Sequence, residues 1–388
     1  MEELKAQVLK EIESRCDELN EISMIIHDNP ELGFKEEKAA TLLTDYLGKN
    51  GFSVERGICD LPTAFRASYG TGVPRIAFLA EYDALPDIGH ACGHNIIATS
   101  AIGAAIASKI AVDRYKGTVL VIGTPAEELY GGKAIMAEKG AFDDLDGAMI
   151  VHPGVHDTAT TSSLACQTLD VEFFGKSAHA AASPEEGINA LEAMIQSFNA
   201  INSLRQHIRD SARFHGIITD GGEASNVVPS HSGGSFIARA LDNNYLDELK
   251  EKVINCFEGA AKATGARLEY KWDTVRYAPM LNNMTLAALF AGNMKALGRD
   301  IIISDPDKAF GSTDMGNVSQ LVPSIHANVA IAARDIQLHS PQFAEAAASE
   351  AGLKGIIDAS GAMAMTVVDI LSSPETLTAI KNEFGQAQ

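Results

Sequence analysis

Residues 80–95 read Ala-Glu-Tyr-Asp-Ala-Leu-Pro-Asp-Ile-Gly-His-Ala-Cys-Gly-His-Asn and lie between two segments suited to burial. Before them, Ile76, Ala77, Phe78, Leu79 and Ala80 form an apolar run with the length of a buried strand. After them, residues 96–110 are rich in Ala and Ile, too long for a strand, and read as a buried helix. Five groups able to bind a metal or move a proton, Glu81, Asp83, His90, Cys92 and His94, fall where strand passes to helix. Polar side chains at such a junction are costly unless paired or coordinated. The pattern implies a site at the carboxyl edge of an open sheet.

A chain of 388 residues can build two or three domains. Its net charge of −20 argues against nucleic-acid and anionic-membrane partners, which select basic patches. The start, Met1-Glu2-Glu3-Leu4-Lys5, reads as an amphipathic helix rather than a signal peptide. The longest weakly polar stretch, 96–112, carries Thr99, Ser100, Ser108 and Lys109 and suits a buried helix better than a membrane span. Cys16, Cys59, Cys92, Cys166 and Cys256 show no paired framework, so a reduced, cytoplasmic setting is expected.

Residues 1–50 read as two helices. One has Leu4, Val8, Ile12 and Leu19 on a stripe; the other, over 36–49, has Ala39, Leu42, Leu43, Tyr46 and Leu47. Strand-like runs at 63–68, 75–80, 117–123 and 147–151 alternate with helical patterns at 96–112 and 132–139. That alternation predicts an α/β fold, a mostly parallel sheet with helices on both faces. The texture changes near residue 165. Strands at 168–174, 214–219, 233–240 and 267–272 and helices at 184–204 and 245–264 follow the order β-α-β-β-α-β of a ferredoxin-like α+β module. The expected organisation is a discontinuous domain, 1–166 and 275–388, interrupted by a small inserted domain, 167–274.

Several positions in this frame can carry chemistry. Glu127 and Glu128 follow the strand 118–122; on an extended chain they would point to opposite sides, one to a metal and one to a substrate. The plainer alternative is a solvated acidic loop. His152 ends an apolar strand and reads as a hydrogen-bonded core histidine or a ligand, and His339, ahead of a helix, is equally ambiguous by itself. His90, Cys92 and His94 alternate, which on an extended segment aims them one way, and imidazole with thiolate suits zinc and its neighbours. Cys92 also lies just before a helix N-terminus, where the dipole favours a thiolate. The alternative is a reduced buried cysteine flanked by loop histidines. His27, in an Asn-Pro neighbourhood, reads as part of a structural turn.

Taken together, Glu81-Tyr82-Asp83-Ala84-Leu85-Pro86, Gly89-His90-Ala91-Cys92-Gly93-His94-Asn95, Pro125-Ala126-Glu127-Glu128 and His152-Pro153 resemble the clan MH metallopeptidases and amidohydrolases. These include aminoacylases, hippurate hydrolases, indoleacetyl-amino-acid hydrolases and aminobenzoyl-glutamate hydrolase. The branch with aminobenzoyl-glutamate hydrolase and β-alanyl-lysine-type dipeptidases is the most similar. The resemblance continues through residues 175–181, 221–229 and 312–319, nearly the full length in order.

It implies that Cys92, His94, Glu128, His152 and His339 hold two divalent metal ions, zinc or manganese, with cobalt and nickel as alternatives. It implies that Glu127 is the general base, and that His179 reaches the partner subunit's site to polarise the scissile carbonyl. Asn226 matches a substrate-contacting position, Arg239 is a candidate clamp for the substrate carboxylate, and Asp83 would orient a metal-bound histidine. His90 becomes a structural or outer residue, and Asp314 could serve a turn or the site. The sequence departs from the pattern at Asn95 and Glu81, both commonly Asp in relatives, which bears on metal preference.

The expected activity is hydrolysis of an amide bond in a small dipeptide or N-acyl or aminobenzoyl amino acid with a free carboxylate, through a metal-bound hydroxide. The inserted domain would act as a lid in a homodimer. Two metals would be balanced by the Cys92 thiolate, Glu128, the hydroxide and Glu127. The rivals are a non-catalytic metal-binding homologue and a thiol enzyme using Cys92.

Overall fold

A computed structural model of the chain describes residues 1–303 and 311–387. Its backbone forms two compact units, one of Met1–Ser162, Met280–Ala309 and Thr313–Gln388, the other of Ser163–Pro279 and Phe310–Ser312. The fold is mixed α/β, with a mostly parallel sheet in the first unit and an antiparallel sheet in the second.

In the first unit the strands are β1 (Ser53–Arg56), β2 (Phe65–Thr71), β3 (Arg75–Ala80), β4 (Gly117–Gly123) and β5 (Gly147–Gly154). Beyond the second unit, whose strands are β6 (Ala165–Phe174), β7 (Arg213–Asp220), β8 (His231–Ala240) and β9 (Arg267–Trp272), β10 (Ser324–Ala330) returns to the first sheet. Among the described residues that sheet runs β1-β2-β4-β3-β5-β10. The strands β4, β3, β5 and β10 are parallel, and the β1–β2 and β2–β4 pairs are antiparallel. Ala80 pairs with Gly123, so β3 and β4 end side by side, and whatever follows them emerges at the same sheet edge. Their runs are apolar because both faces are covered.

The helices His94–Tyr115 and Glu350–Ser372 are long and apolar enough to cross a membrane, yet 89% and 83% of their apolar windows are buried within the fold. They are core helices, joined where Ser360 donates to the Ser100 carbonyl. The N-terminal segment differs from expectation. Two helices, Glu2–Ser14 and Cys16–Asp28, replace the single one read from the stripe, with a break at Arg15 (φ −109°, ψ 8°). Leu19 lies seven residues beyond Ile12, so the apolar period runs straight across the one-residue break and conceals it.

In the second unit, antiparallel strands lie in the order β7-β8-β6-β9, and the helices Ala190–Leu204 and Asn243–Thr264 pack on them. Phe214 stacks on Phe236 at 5.4 Å, and Phe257 meets Phe236 edge-on at 5.1 Å, filling this core. The helix read over 184–204 starts only at Ala190. A short 3₁₀ turn, Pro184–Glu186, precedes it, and the Asn189 side chain accepts from Glu192 N–H as its cap.

The turn after β4 is built under strain. Ala126 adopts a left-handed conformation (φ 62°, ψ 42°), which a residue with a Cβ holds only when its surroundings demand it. Here the buried Glu36 accepts the Ala126 N–H at 2.9 Å and the Thr63 hydroxyl at 2.8 Å. Gly132 closes the turn from the other side: a Cβ there would lie 1.7 Å from the Pro125 carbonyl oxygen. Gly132→Ala should therefore cost about 1–3 kcal/mol in denaturant unfolding and displace the Glu127–Glu128 segment.

Burial raises the Glu36 carboxyl to about 7, against the hydrogen bonds it accepts, with Asp83 adding to the rise. A raised folded-state pKa contributes stability below the unfolded value near 4.5 that is lost as pH rises through about 7. The stability of wild type relative to Glu36→Gln should accordingly fall across that window, by at most ~3 kcal/mol, in urea melts at each pH.

Candidate active site

The carboxyl ends of β3, β4 and β5 deliver the site. Glu81 and Asp83 follow β3 directly, Glu127 and Glu128 follow β4, and His152 lies near the end of β5. Cys92 and His94 come from the turn that leads into the helix His94–Tyr115. Gly93 allows that turn in two ways: it sits at φ 79°, and a Cβ there would fall 2.4 Å from Pro153 Cγ. The close approach sets Cys92 Sγ 3.2 Å from His152 Nε2. His339, far along the chain, is docked by its own N–H on the Ala91 carbonyl at 3.0 Å and adopts φ 58°. Its Nε2 lies 3.5 Å from Glu128 Oε1.

Donor atoms of Cys92, His94 and His152 lie within 4.8 Å of one another, as do those of Cys92, Glu128 and His339. The same spacing holds for His94, Glu127 and Glu128, and for Glu81, Glu127 and Asp314. At the centre stands His94. Its Nδ1 meets Asp83 Oδ1 at 3.0 Å, and the other Asp83 oxygen accepts the Glu128 N–H at 3.0 Å. With Nδ1 donating, Nε2 presents a lone pair, yet it faces Glu81 Oε2 at 3.4 Å and Glu128 Oε1 at 3.7 Å. All three atoms are buried and make no hydrogen bond.

Three converging acceptors need a proton or a cation among them. Burial alone would lower His94, but the Asp83 charge, with its hydrogen bond to the ring, outweighs it and holds the ring well above the usual histidine range. The field that draws a proton onto His94 would equally draw a divalent ion. The residues therefore fit divalent metals: thiol sulfur, imidazole and carboxylate donors, with a carboxylate behind the central histidine.

The carboxylates around the site point the same way. Glu81, Asp83, Glu127, Glu128 and Asp314 are five carboxylates facing one buried ammonium, Lys133, among the described residues. Lys133 pairs directly with Glu81 and Asp314, while Asp83 and Glu128 turn to His94. Burial, with Glu81 and Asp314 close by, pushes the Glu127 carboxyl well above its ordinary range. A nearby cation reverses that effect. Burial and His326 lower His152, to about 3, so its ring is neutral and suited to coordination.

Other expectations need correction. Glu127 and Glu128 open a helical turn, Glu127–Tyr130, rather than an extended segment, because Ala126 reverses the chain before them. Glu128 turns to His94 and His339, while Glu127 is also close to Glu81 and Asp314. Residues 90–93 form a turn, so His90 does not join Cys92 and His94; its ring lies 6.3 Å from His27, whose Nε2 meets the Ala344 carbonyl. The helix dipole does not govern Cys92 either. Burial dominates and pushes the thiol far up, against the pull of His94, so a thiolate there requires a cation beside it. Asn95 points away, donating to Ser23 Oγ at 2.9 Å and the Ala347 carbonyl at 3.3 Å. Glu81 does face the cluster.

Sequence reasoning missed Lys133 and His326. Lys133 is wholly buried in Gly-Lys-Ala-Ile-Met, where a lone lysine in an apolar helix was the available signal. His326 lies on β10 with its ring 5.6 Å from that of His152, and its Nδ1 meets Thr161 Oγ1. A histidine inside a buried strand was the signal there.

Three expected residues belong to the second unit. His179 is exposed and its Nδ1 accepts the Ala181 and Ala182 N–H groups. Asn226 is exposed on the neighbouring loop, where its carbonyl accepts the Ala180 N–H. Arg239, half-buried on β8, donates to Ser312 Oγ at 2.8 Å.

A family model described as peptidase family M20/M25/M40 matches residues 77–356. The chain is 36% identical to an Xaa-Arg dipeptidase of Mus musculus, over 99% of this chain and 93% of that protein. It is 35% identical to one of the subunits of the p-aminobenzoyl-glutamate hydrolase of Escherichia coli strain K12, over 70% of this chain and 61% of that one. Among solved structures, a dinuclear metal binding peptidase of the M20 family from Bacillus subtilis superposes with TM-score 0.73 at 21% identity, covering 93% of this chain and 99% of that chain. An aminobenzoyl-glutamate utilization protein from Klebsiella pneumoniae gives TM-score 0.75 at 18% identity, covering 94% and 98%.

Proposed function

The chain belongs to peptidase family M20/M25/M40, and on that premise we propose that it is a dinuclear metal-dependent hydrolase of small amides. Its substrates would be dipeptides or N-acyl or aminobenzoyl amino acids with a free carboxylate. One observation carries the reading: His94 Nε2, Glu81 Oε2 and Glu128 Oε1 converge, buried and without hydrogen bonds, beside Cys92, His152 and His339. Cys92, His94, Glu128, His152 and His339 would hold two divalent ions, zinc or manganese. Bound there, the ions would polarise the amide carbonyl and acidify a water molecule.

The chain's own groups then have distinct tasks. Asp83 holds the His94 ring with Nδ1 occupied, which turns Nε2 to the donor cluster. Glu127 takes a proton from the attacking water and returns it to the leaving amine. His179 accepts two backbone N–H groups at Nδ1, so its neutral ring carries the proton on Nε2 and can donate to the developing oxyanion. Asn226 and Arg239 would contact the substrate, Arg239 through its carboxylate.

The second unit, with its β-α-β-β-α-β order, would be the ferredoxin-like lid and dimerisation domain, and His179 would serve the partner's site in a homodimer. The edge strand β7 supports an association there, since Ile217 is 65% and Ile218 41% exposed on it. Five free cysteines suit a cytoplasmic setting.

A thiol enzyme using Cys92 fits poorly, because the thiol is buried and its proton is held tightly. The test is a hydrolysis screen of metal-reconstituted protein against dipeptides and N-acetyl, N-benzoyl and aminobenzoyl-glutamate substrates. Turnover should vanish with a chelator and return with Mn²⁺ or Zn²⁺. Glu127→Gln should lower kcat by ~100-fold or more with metal content by elemental analysis unchanged. Chelator-insensitive turnover, or an active Glu127→Gln protein, would remove the reading; full turnover by a strict monomer would remove the role of His179.

A further inference from the structure

The helix Gly132–Glu138 carries Lys133 as its second residue, and this side chain is fully buried. Asp314 grips it twice: Oδ2 accepts the Lys133 backbone N–H at 2.8 Å and Oδ1 accepts Nζ at 2.8 Å. A carboxylate bound to backbone and side chain of one residue leaves the ammonium little freedom. Nζ also lies 2.5 Å from Glu81 Oε1.

Oxygens of Glu81, Glu127 and Asp314 lie within 4.8 Å of one another, the spacing of a cation site. The cation there is the lysine ammonium. Being tethered, it cannot dissociate, and it imposes a direction on Glu81. With Oε1 ion-paired to Lys133, the opposite oxygen Oε2 lies 3.4 Å from His94 Nε2. Glu81 thus spans from the lysine to the coordinating nitrogen of His94.

We propose that Lys133 is a positioning residue, whose fixed charge aims Glu81 at the ion-binding side of His94 and so sets metal affinity and turnover rather than substrate binding. The inference rests on the hydrolase reading above. The bland alternative is that Lys133 only neutralises Asp314. A charge-balanced double variant separates the two, because Lys133→Met with Asp314→Asn removes one charge of each sign and keeps an acceptor for the backbone N–H.

That protein should melt close to wild type. Calorimetric titration of the apoprotein with Mn²⁺ should give a Kd weakened by ~10–100-fold, the range for residues that orient metal ligands. The kcat should fall by a similar factor and KM stay within about threefold. Glu81→Gln, which leaves the Lys133–Asp314 pair intact, should give the same signature and serves equally if the double variant does not fold. Wild-type Kd and kcat in the variants, or a change confined to KM, would overturn the proposal. Wild-type protein that takes up no ion would instead sink the hydrolase reading; ion uptake by wild type with unaffected variants sinks only the role of Lys133.

Discussion

Negative charge crowded at the end of a parallel sheet is the constraint on which this architecture turns. Five carboxylates gather beyond β3 and β4 and beside the helix Met315–Ser319, with Lys133 as their buried ammonium among the described residues. Such a concentration is costly in a low-dielectric interior and favours a cation or a proton among its members. The neighbouring donors, Cys92, His94, His152 and His339, are of the types that share ions with carboxylates. Side chains of metal-binding type and clustered negative charge therefore meet at one place in the fold.

Holding that place together requires backbone conformations that a free chain would avoid. Ala126 and His339 both sit at positive φ, and both are secured by bonds from elsewhere, Glu36 on one and the Ala91 carbonyl on the other. Gly93 brings Pro153 against the Cys92 turn with no room for a side chain. Each device is local, yet each joins segments distant in sequence, so the site is assembled by the packing of the first unit as a whole. The long buried helices His94–Tyr115 and Glu350–Ser372 supply the rigid interior that sustains such strain.

Much of the first sheet was legible because buried parallel strands are near-continuous apolar runs: β3 and β4 span the stretches read from the sequence. Periodicity failed where it carries no information, at the single-residue break at Arg15 and at the 3₁₀ turn before Ala190. In the site, Cys92 and His94 were legible from their spacing, but the extended geometry assumed for residues 90–94 and 127–128 was not the one adopted. Turns at both segments, not alternation, decide which side chains meet. Lys133 was overlooked because its partners, Glu81 and Asp314, are remote in sequence.

From the sequence alone came the class of fold, the strand-to-helix junction loaded with polar groups, and, by resemblance, the set of side chains suited to two metals. These are properties of local pattern and residue chemistry. Tertiary structure alone decided that Glu81 and Lys133 share one buried pair, that Asn95 turns away to Ser23, and that burial rather than a helix dipole governs the Cys92 thiol. Burial and the sharing of charge depend on which distant segments pack together, and no window of sequence contains that information.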